Sequence, residues 1–210
     1  MFCNVCGAAY AAGASKCAAC GAALTSTTPT SPSGYPLAGL GGRFVAVILD
    51  TILGVVFYAM AGTWAAARWG GTTSAGFSLE GTPALVAIIA TLLFGFFYYW
   101  LCEGIFGTTL GKSILGMAVR RKDGGGCTLA SSLVRNLLRV IDGFAVYVVG
   151  FLVAIFSKSR QRLGDHVART VVVLPGIGIP ARLALALVWV VLCGGGLMAS
   201  YLLHQSALSQ

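Results

Sequence analysis

The chain has 210 residues, of which 57% are hydrophobic and 10% are charged, and its formal net charge is +8. The mean hydropathy of +0.86 is typical of a membrane protein. The positive charge would suit a nucleic acid, but no basic stripe with interleaved aromatic residues accompanies it, so we expect no nucleic acid partner.

Four cysteines near the N-terminus form two CxxC pairs, each followed by a glycine: Cys3, Cys6, Cys17 and Cys20. Two such pairs supply four thiolates for a tetrahedral Zn²⁺ and leave no open position for catalysis. We therefore expect a structural zinc ribbon over residues 1–23, with two disulfides as the alternative that a reducing cytoplasm disfavours. Residues 24–36 are rich in Thr, Ser and Pro, which predicts a flexible linker.

Asp50 is the only charged residue in the first apolar run, residues 44–67. A run of about 24 residues is long enough for a helix to cross a hydrocarbon core of roughly 30 Å. A carboxylate inside such a helix costs on the order of 2.5–3.5 kcal/mol, so it is retained where it is paired, lines a polar cavity or titrates. Two roles stay open for Asp50: a buried anchor between helices, and a group that binds a proton or an ion.

Further apolar stretches follow along the chain. Residues 83–106 carry Glu103 near their end, where we expect it at the membrane interface, and residues 183–203 carry no charge. Short strands are predicted over 113–121 and 168–174, and they can pair if they lie on the same side of the membrane.

Lysine and arginine cluster in residues 107–139 and 158–169, which the positive-inside rule places in the cytoplasm. The loop at 68–82 is then outside, and the N-terminus is cytoplasmic. One crossing cannot join two segments on the same side. The short stretch over 140–157 therefore either enters the membrane and returns to the same side, which we favour, or spans the membrane once as an exception to the positive-inside rule.

Four motifs in order resemble the RDD family of membrane proteins, which is named for one arginine and two aspartates. They are GGRFVAVILDTILG with Arg43 and Asp50, GTTLGKSILGMAVRRKDGGG, LVRNLLRVIDG, and SKSRQRLGDHVARTVVV. The resemblance covers about residues 37–175 and assigns the second aspartate to Asp165, with Asp142 as the other candidate. It implies transport of ions or small molecules, and it fits an N-terminal zinc ribbon, which several members carry.

The spacing of charges predicts which of them can pair. Arg43 and Asp50 are seven residues apart, roughly 10 Å along a helix axis, which is too far for a direct ion pair. Arg135, Arg139 and Asp142 share one helix face, so Arg139 or Arg135 is the expected partner if Asp50 is an anchor. Asp165 is expected to cap a helix or to pair with Arg160, Arg162 or Arg169.

We therefore expect an all-α helical integral membrane domain of three to four apolar segments with a small N-terminal zinc ribbon of four cysteines. Its predicted parts are the zinc ribbon, the linker, an RDD-like membrane domain and an additional C-terminal transmembrane helix, in the ranges 1–23, 24–36, 37–175 and 176–210. The expected function is transport of ions or small molecules across the plasma membrane, such as cation/proton exchange through Asp50. The candidate transport or ion-pair residues are Arg43, Asp50, Arg139, Asp142 and Asp165.

The alternative function is a membrane anchor or scaffold whose zinc ribbon recruits a cytosolic protein. We expect no enzyme, because no nucleophile and base can be paired, and because Phe106 stands where GTTLGKS would need a glycine to bind phosphates. The expected partners are the lipid bilayer and further copies of this chain, since three or four helices enclose little pathway alone.

Overall fold

A computed structural model of the chain describes residues 14–21, 31, 34–144 and 161–209, with the backbone alone at 140–144 and at 163. Within these residues it confirms a mostly helical protein with three helices long and apolar enough to cross a membrane: Leu40–Trp69, Gly81–Phe106 and Ile179–Leu208. Most of the predicted zinc ribbon and most of the stretch over 140–157 lie outside the described residues.

The first half of the fold is a pair of long helices joined by a short hairpin. Its elements are α1 (Leu40–Trp69), β1 (Thr72–Thr73), β2 (Gly76–Phe77) and α2 (Gly81–Leu101), which continues as a π-helical turn over Cys102–Phe106. The strands β1 and β2 are antiparallel. Phe77 packs directly on α1 at Gly62, where a Cβ atom would lie 2.3 Å from the ring. The hairpin is thereby fixed against the end of α1.

The middle of the chain contains α3 (Leu110–Ile114), β3 (Ala118–Arg121) and α4 (Leu129–Phe144). The strand predicted over 113–121 is wrong in its first half. The hydroxyl of Thr109 accepts a hydrogen bond from Lys112 N at 3.4 Å, which starts the short helix α3 instead.

The last part of the chain contains α5 (Leu163–Val167), β4 (Thr170–Val173) and α6 (Ile179–Leu208). β4 pairs antiparallel with β3, with Arg121 opposite Thr170, which confirms the predicted pairing of these two segments. On the other edge of β4, Leu37 bridges Val173, and Pro36 O accepts a hydrogen bond from Leu174 N at 2.9 Å. The end of the predicted linker is therefore part of this small sheet.

The helix α6 packs closely along α1. A Cβ atom at Gly196 would lie 2.5 Å from Cγ1 of Val56, so a glycine is needed where the two helices touch. The hydroxyl groups of Thr63 and Ser200 are 2.8 Å apart across the same interface. Cys193 is buried against α1 as a small core residue.

Candidate functional site

Asp50 is buried inside α1 and accepts three hydrogen bonds from neutral groups. The hydroxyl of Tyr98 donates to Oδ1 at 2.7 Å, and the hydroxyl of Thr109 donates to Oδ2 at 2.7 Å. The backbone N–H of Gly111 also donates to Oδ1, at 2.9 Å. Only 4% of Asp50 is exposed. The carboxylate therefore joins α1, α2 and α3 at one point.

The segment around α3 must approach α1 very closely to reach this carboxylate. A Cβ atom at Gly111 would lie 2.4 Å from the carbonyl oxygen of Ala46 and 2.9 Å from Oδ1 of Asp50. The hydroxyl of Tyr98 also accepts a hydrogen bond from Leu110 N at 3.0 Å, so Tyr98 links α3 and Asp50. The first N–H groups of α3 are thereby satisfied inside the protein.

Apolar side chains close the site on the side of α6. Leu53 belongs to a buried apolar cluster, and the half-buried Leu110 and Trp189 pack against this cluster. The indole N–H of Trp189 donates to the carbonyl of Leu49 at 3.0 Å, which positions α6 beside the carboxylate. Side chains from all three long helices therefore meet at this cluster.

Glu103 lies in the π-helical turn and is fully buried, with an exposed fraction of 0%. Glu103 is therefore enclosed by the protein, and its position at the depth of the membrane interface stays a prediction. Its carboxylate forms an ion pair with the ammonium group of Lys112. It also accepts a hydrogen bond from Nε of Arg135 at 3.1 Å and one from the side-chain amide of Asn136 at 3.2 Å. The turn aims Glu103 at α3 and α4, whose polar side chains compensate its charge.

Asp165 forms the second centre of negative charge. Its Oδ1 is 2.8 Å from Nη1 of Arg135, and its Oδ2 is 3.5 Å from Nη1 of Arg43. Oδ2 also accepts a hydrogen bond from the backbone N–H of Arg162 at 3.2 Å, so Asp165 caps the start of α5, as predicted. A Cβ atom at Gly164 would lie 2.9 Å from the carbonyl of Arg135, so this glycine permits the close approach of α5 to α4.

These residues form one buried chain of alternating charges, in the order Lys112, Glu103, Arg135, Asp165 and Arg43. It joins α1, α4, α5 and the segment after α2. Burial acts to lower the pKa of Arg135, but Asp165 and Glu103 outweigh it and raise that pKa. Burial lowers the pKa of Lys112 to about 8, opposed by Glu103 and reinforced by Arg135 and Arg139.

The structure pairs the sequence-predicted residues differently from the expectation. Arg43 and Asp50 are not in direct contact, as the helix geometry predicted. The prediction of an ion pair between Asp50 and Arg139 or Arg135 is wrong. Arg135 forms its ion pairs with Glu103 and Asp165. The guanidinium of Arg139 stacks on the ring of Tyr99, 3.7 Å from its centroid. The side chain of Asp142 lies outside the described residues.

Several residues of this site were not predicted from the sequence: Tyr98, Thr109, Gly111 and Lys112. One signal that points to them is the GTTLGKS segment itself, which combines a capping threonine, a small residue and a charge directly after an apolar run. Such a segment suits a short helix packed against buried polar groups.

The predicted metal site is only partly within the described residues, since Cys3 and Cys6 lie outside them. Cys17 is buried and Cys20 is exposed. No group of three or more His, Cys, Asp or Glu side chains able to hold a metal ion occurs in the part of the chain that the structure describes.

A comparison with protein families finds a match between residues 37–169 and the family described as "RDD family". The matched range contains Arg43, Asp50 and Asp165, together with the other members of the charge network, and it ends before α6. No curated protein and no solved structure matches the chain.

Proposed function

The chain belongs to the RDD family, and from this premise we propose that it is a multi-pass plasma-membrane protein that exchanges a small cation for protons. The carboxylate of Asp50 is the proposed binding group for either ion. One observation carries this proposal. Of the buried carboxylates in the described residues, Asp50 is the one whose hydrogen-bond partners are all neutral.

The other two buried carboxylates are already compensated. Glu103 pairs with Lys112 and Arg135, and Asp165 pairs with Arg135 and Arg43. A proton or cation that binds either of them must displace a buried positive charge, which is unfavourable. Asp50 can gain a positive charge without the loss of an ion pair.

The ligands around Asp50 suit a hard cation. The hydroxyl oxygen of Tyr98 lies 2.7 Å from Oδ1 of Asp50, and that of Thr109 lies 2.7 Å from Oδ2. Small hard cations prefer such oxygen ligands. A hydroxyl group can donate to the empty carboxylate and then turn a lone pair towards a bound cation, so the same residues serve both states.

Exchange also requires that Asp50 be reached from one side of the membrane at a time. The segment over 107–117 covers Asp50 and is bounded by Gly107 and Gly116, which have φ angles of 70° and 71°. These positions suit hinges, because glycine adopts such angles without strain. A shift of this segment is the proposed opening step.

A structural zinc ribbon at a cytoplasmic N-terminus is part of the proposal. Gly21 donates its N–H to the carbonyl of Cys17 at 2.8 Å and has a φ angle of 70°. This is the kind of tight turn that a CxxC knuckle uses around a metal. Assembly of several copies is proposed as well, because this helical unit encloses little pathway alone.

The second candidate is a scaffold that anchors the zinc ribbon, and with it a cytosolic partner, to the membrane. It is favoured by the same hydrogen bonds, since Asp50 holds α3 against α1 and would then be a structural cap. The two candidates differ in whether the charge on Asp50 is needed.

Asp50→Asn separates them in proteoliposomes that contain a pH-sensitive dye and face gradients of Na⁺ or K⁺. We expect cation-driven proton flux from the wild-type protein and its loss in Asp50→Asn at unchanged thermal stability. The exposed Asp123 provides the control, and Asp123→Asn should keep the flux. Flux that persists in Asp50→Asn, or no flux from the wild type with any cation, would favour the scaffold.

A further inference from the structure

The helix α4 is amphipathic, but its two faces are reversed relative to a surface helix of a water-soluble protein. Its polar side chains face the interior: Ser132 and Asn136 are buried, and the carboxylates of the charge network hold Arg135. The exposed side chains of its described residues are all apolar, namely Leu129, Ala130, Leu133, Val134 and Leu137. A helix in water turns its polar face to the solvent. The reversed order therefore indicates apolar surroundings.

The exposed apolar residues of α4 form one continuous leucine stripe. Successive residues of a helix are turned by about 100°, so Leu129, Leu133 and Leu137 follow one another along the same side. Leu137 is 57% exposed. Ala130 and Val134 lie directly beside these leucines and widen the stripe. Contiguous exposed apolar surface marks a contact with a protein or a membrane.

The start of α4 packs on the end of the second long helix, Gly81–Phe106. The indole N–H of Trp100 donates to the carbonyl of Leu129 at 3.0 Å, and the hydroxyl of Ser132 donates to the carbonyl of Trp100 at 2.8 Å. A Cβ atom at Gly104 would lie 2.7 Å from Cδ2 of Leu129. The first turn of α4 therefore lies beside residues of a helix that is long and apolar enough to cross a membrane.

The outer side of this helix end is itself apolar. Leu101 and Ile105 are exposed, and Phe106, the last residue of the helix, is 72% exposed. On a helix that spans a membrane, exposed apolar side chains face the acyl chains. Because Leu129 touches Gly104, two residues before Phe106, the leucine stripe begins at the depth of these side chains and continues their surface. A water-soluble partner would have to enter the bilayer to cover it.

We propose that α4 is a fourth membrane-embedded element, whose leucine stripe binds the acyl chains of the leaflet that contains the end of the second long helix. Its 16 residues are about 24 Å long, less than a hydrocarbon core of roughly 30 Å, so α4 alone does not cross the membrane. Its polar face at the same time separates the charge network from the lipid. The inference rests on the membrane location in the proposed function and not on ion exchange.

The test introduces the photoreactive residue p-benzoylphenylalanine at single positions of the full chain, in proteoliposomes of phosphatidylcholine and phosphatidylglycerol. On irradiation this residue bonds to a neighbouring C–H group, and mass spectrometry identifies the adduct. We expect phospholipid adducts from Leu133→p-benzoylphenylalanine and from the same change at Leu137. Leu92, exposed near the middle of α2, is the control for lipid contact. Asp123, exposed in the turn before α4, is the control that should give no lipid adduct.

Lipid adducts at position 92 but none at positions 133 and 137 would overturn the inference and leave the membrane location intact. Cross-linked dimers at 133 and 137 in place of lipid adducts would overturn it in favour of a second copy of the chain. Equal lipid adducts at position 123 would overturn it as well. No lipid adduct at any position, including 92, would overturn the membrane location and with it the proposed function. Val134→p-benzoylphenylalanine, on the same stripe, replaces a variant that does not fold.

Discussion

Gly111 donates its backbone N–H to Oδ1 of Asp50 at 2.9 Å, and this contact ties the segment after the second long helix to the interior of the first. A buried carboxylate thus receives a hydrogen bond that needs no side chain from its partner. The contact shows how the start of a short helix is accommodated beside a helix long enough to cross a membrane, since its first N–H groups are bonded within the protein.

Gly111→Ala should destabilise the protein, because its Cβ atom would meet the carbonyl of Ala46 at 2.4 Å. Overpacking of this kind costs about 1–3 kcal/mol, and the displacement of α3 should also weaken the Asp50 contacts. Thermal unfolding in detergent measures the loss. Gly194→Ala is the matched control, since nothing lies within 4 Å of its Cβ position. Equal midpoints for the two variants would contradict this close approach.

Glu103→Gln should be among the most destabilising charge-removing substitutions, because Lys112 and Arg135 would stay buried without their shared counter-charge. The loss of one partner from a buried ion pair costs on the order of 3–5 kcal/mol. Denaturant unfolding in detergent measures it, and Glu80→Gln is the exposed control. Adding Lys112→Met to Glu103→Gln should cost less than the sum of the single changes, as expected for residues in contact. Additive losses would argue against the pair.

The long helices and the strand pair could be predicted because their signals are local. Apolar runs of sufficient length give α1, α2 and α6, and two short β-type segments on one side give the pairing of β3 with β4. The spacing of Arg43 and Asp50 also sufficed to rule out their direct contact, since helix geometry alone fixes it.

The partners of the buried charges could not be predicted, because they depend on contacts far apart in the sequence. Glu103 and Arg135 are separated by 32 positions, and Arg43 meets Asp165 across an even longer stretch. Periodicity gives the face on which a residue lies but not the element that this face meets. The five residues of α3 are also too few for a helical period to be recognised.

The N-terminal cysteines should bind about one Zn²⁺ per chain, as four thiolates at CxxC spacing do. Metal analysis of the purified protein measures the content, and Cys3→Ser combined with Cys17→Ser should abolish it. Cys102→Ser, a cysteine outside the two pairs, is the control and should keep the zinc. Full metal content in the double variant would disprove the zinc ribbon.

The pairing of β3 with β4 predicts that the loops around them face the same side of the membrane. In a background without the native cysteines, Gly126→Cys and His166→Cys should both react with an impermeant maleimide from that side. Both positions are exposed. Ser74→Cys, at an exposed position in the loop between the first two long helices, should react only from the other side. Opposite labelling of positions 126 and 166 would contradict the predicted topology.

Lys112 should make stability depend on alkaline pH. Its pKa is lowered from 10.5 to about 8 in the folded protein, first by burial and then by Arg135 and Arg139. Between these two values the unfolded chain holds more protons than the folded one. The contribution of Lys112 to the free energy of unfolding therefore rises with pH across this window, by at most about 1.4 kcal/mol per pH unit.

Lys112→Arg provides the comparison, because arginine keeps its charge throughout this range. Denaturant unfolding of the wild type and of Lys112→Arg, measured from pH 7 to pH 10.5, gives two curves whose difference isolates Lys112, since tyrosines and cysteines titrate in both. We expect the wild type to gain stability relative to the variant above pH 8 and no change in the difference below it. Parallel curves across the whole range would show that Lys112 keeps its ordinary pKa in the folded protein, and would contradict the lowering by burial and by Arg135 and Arg139.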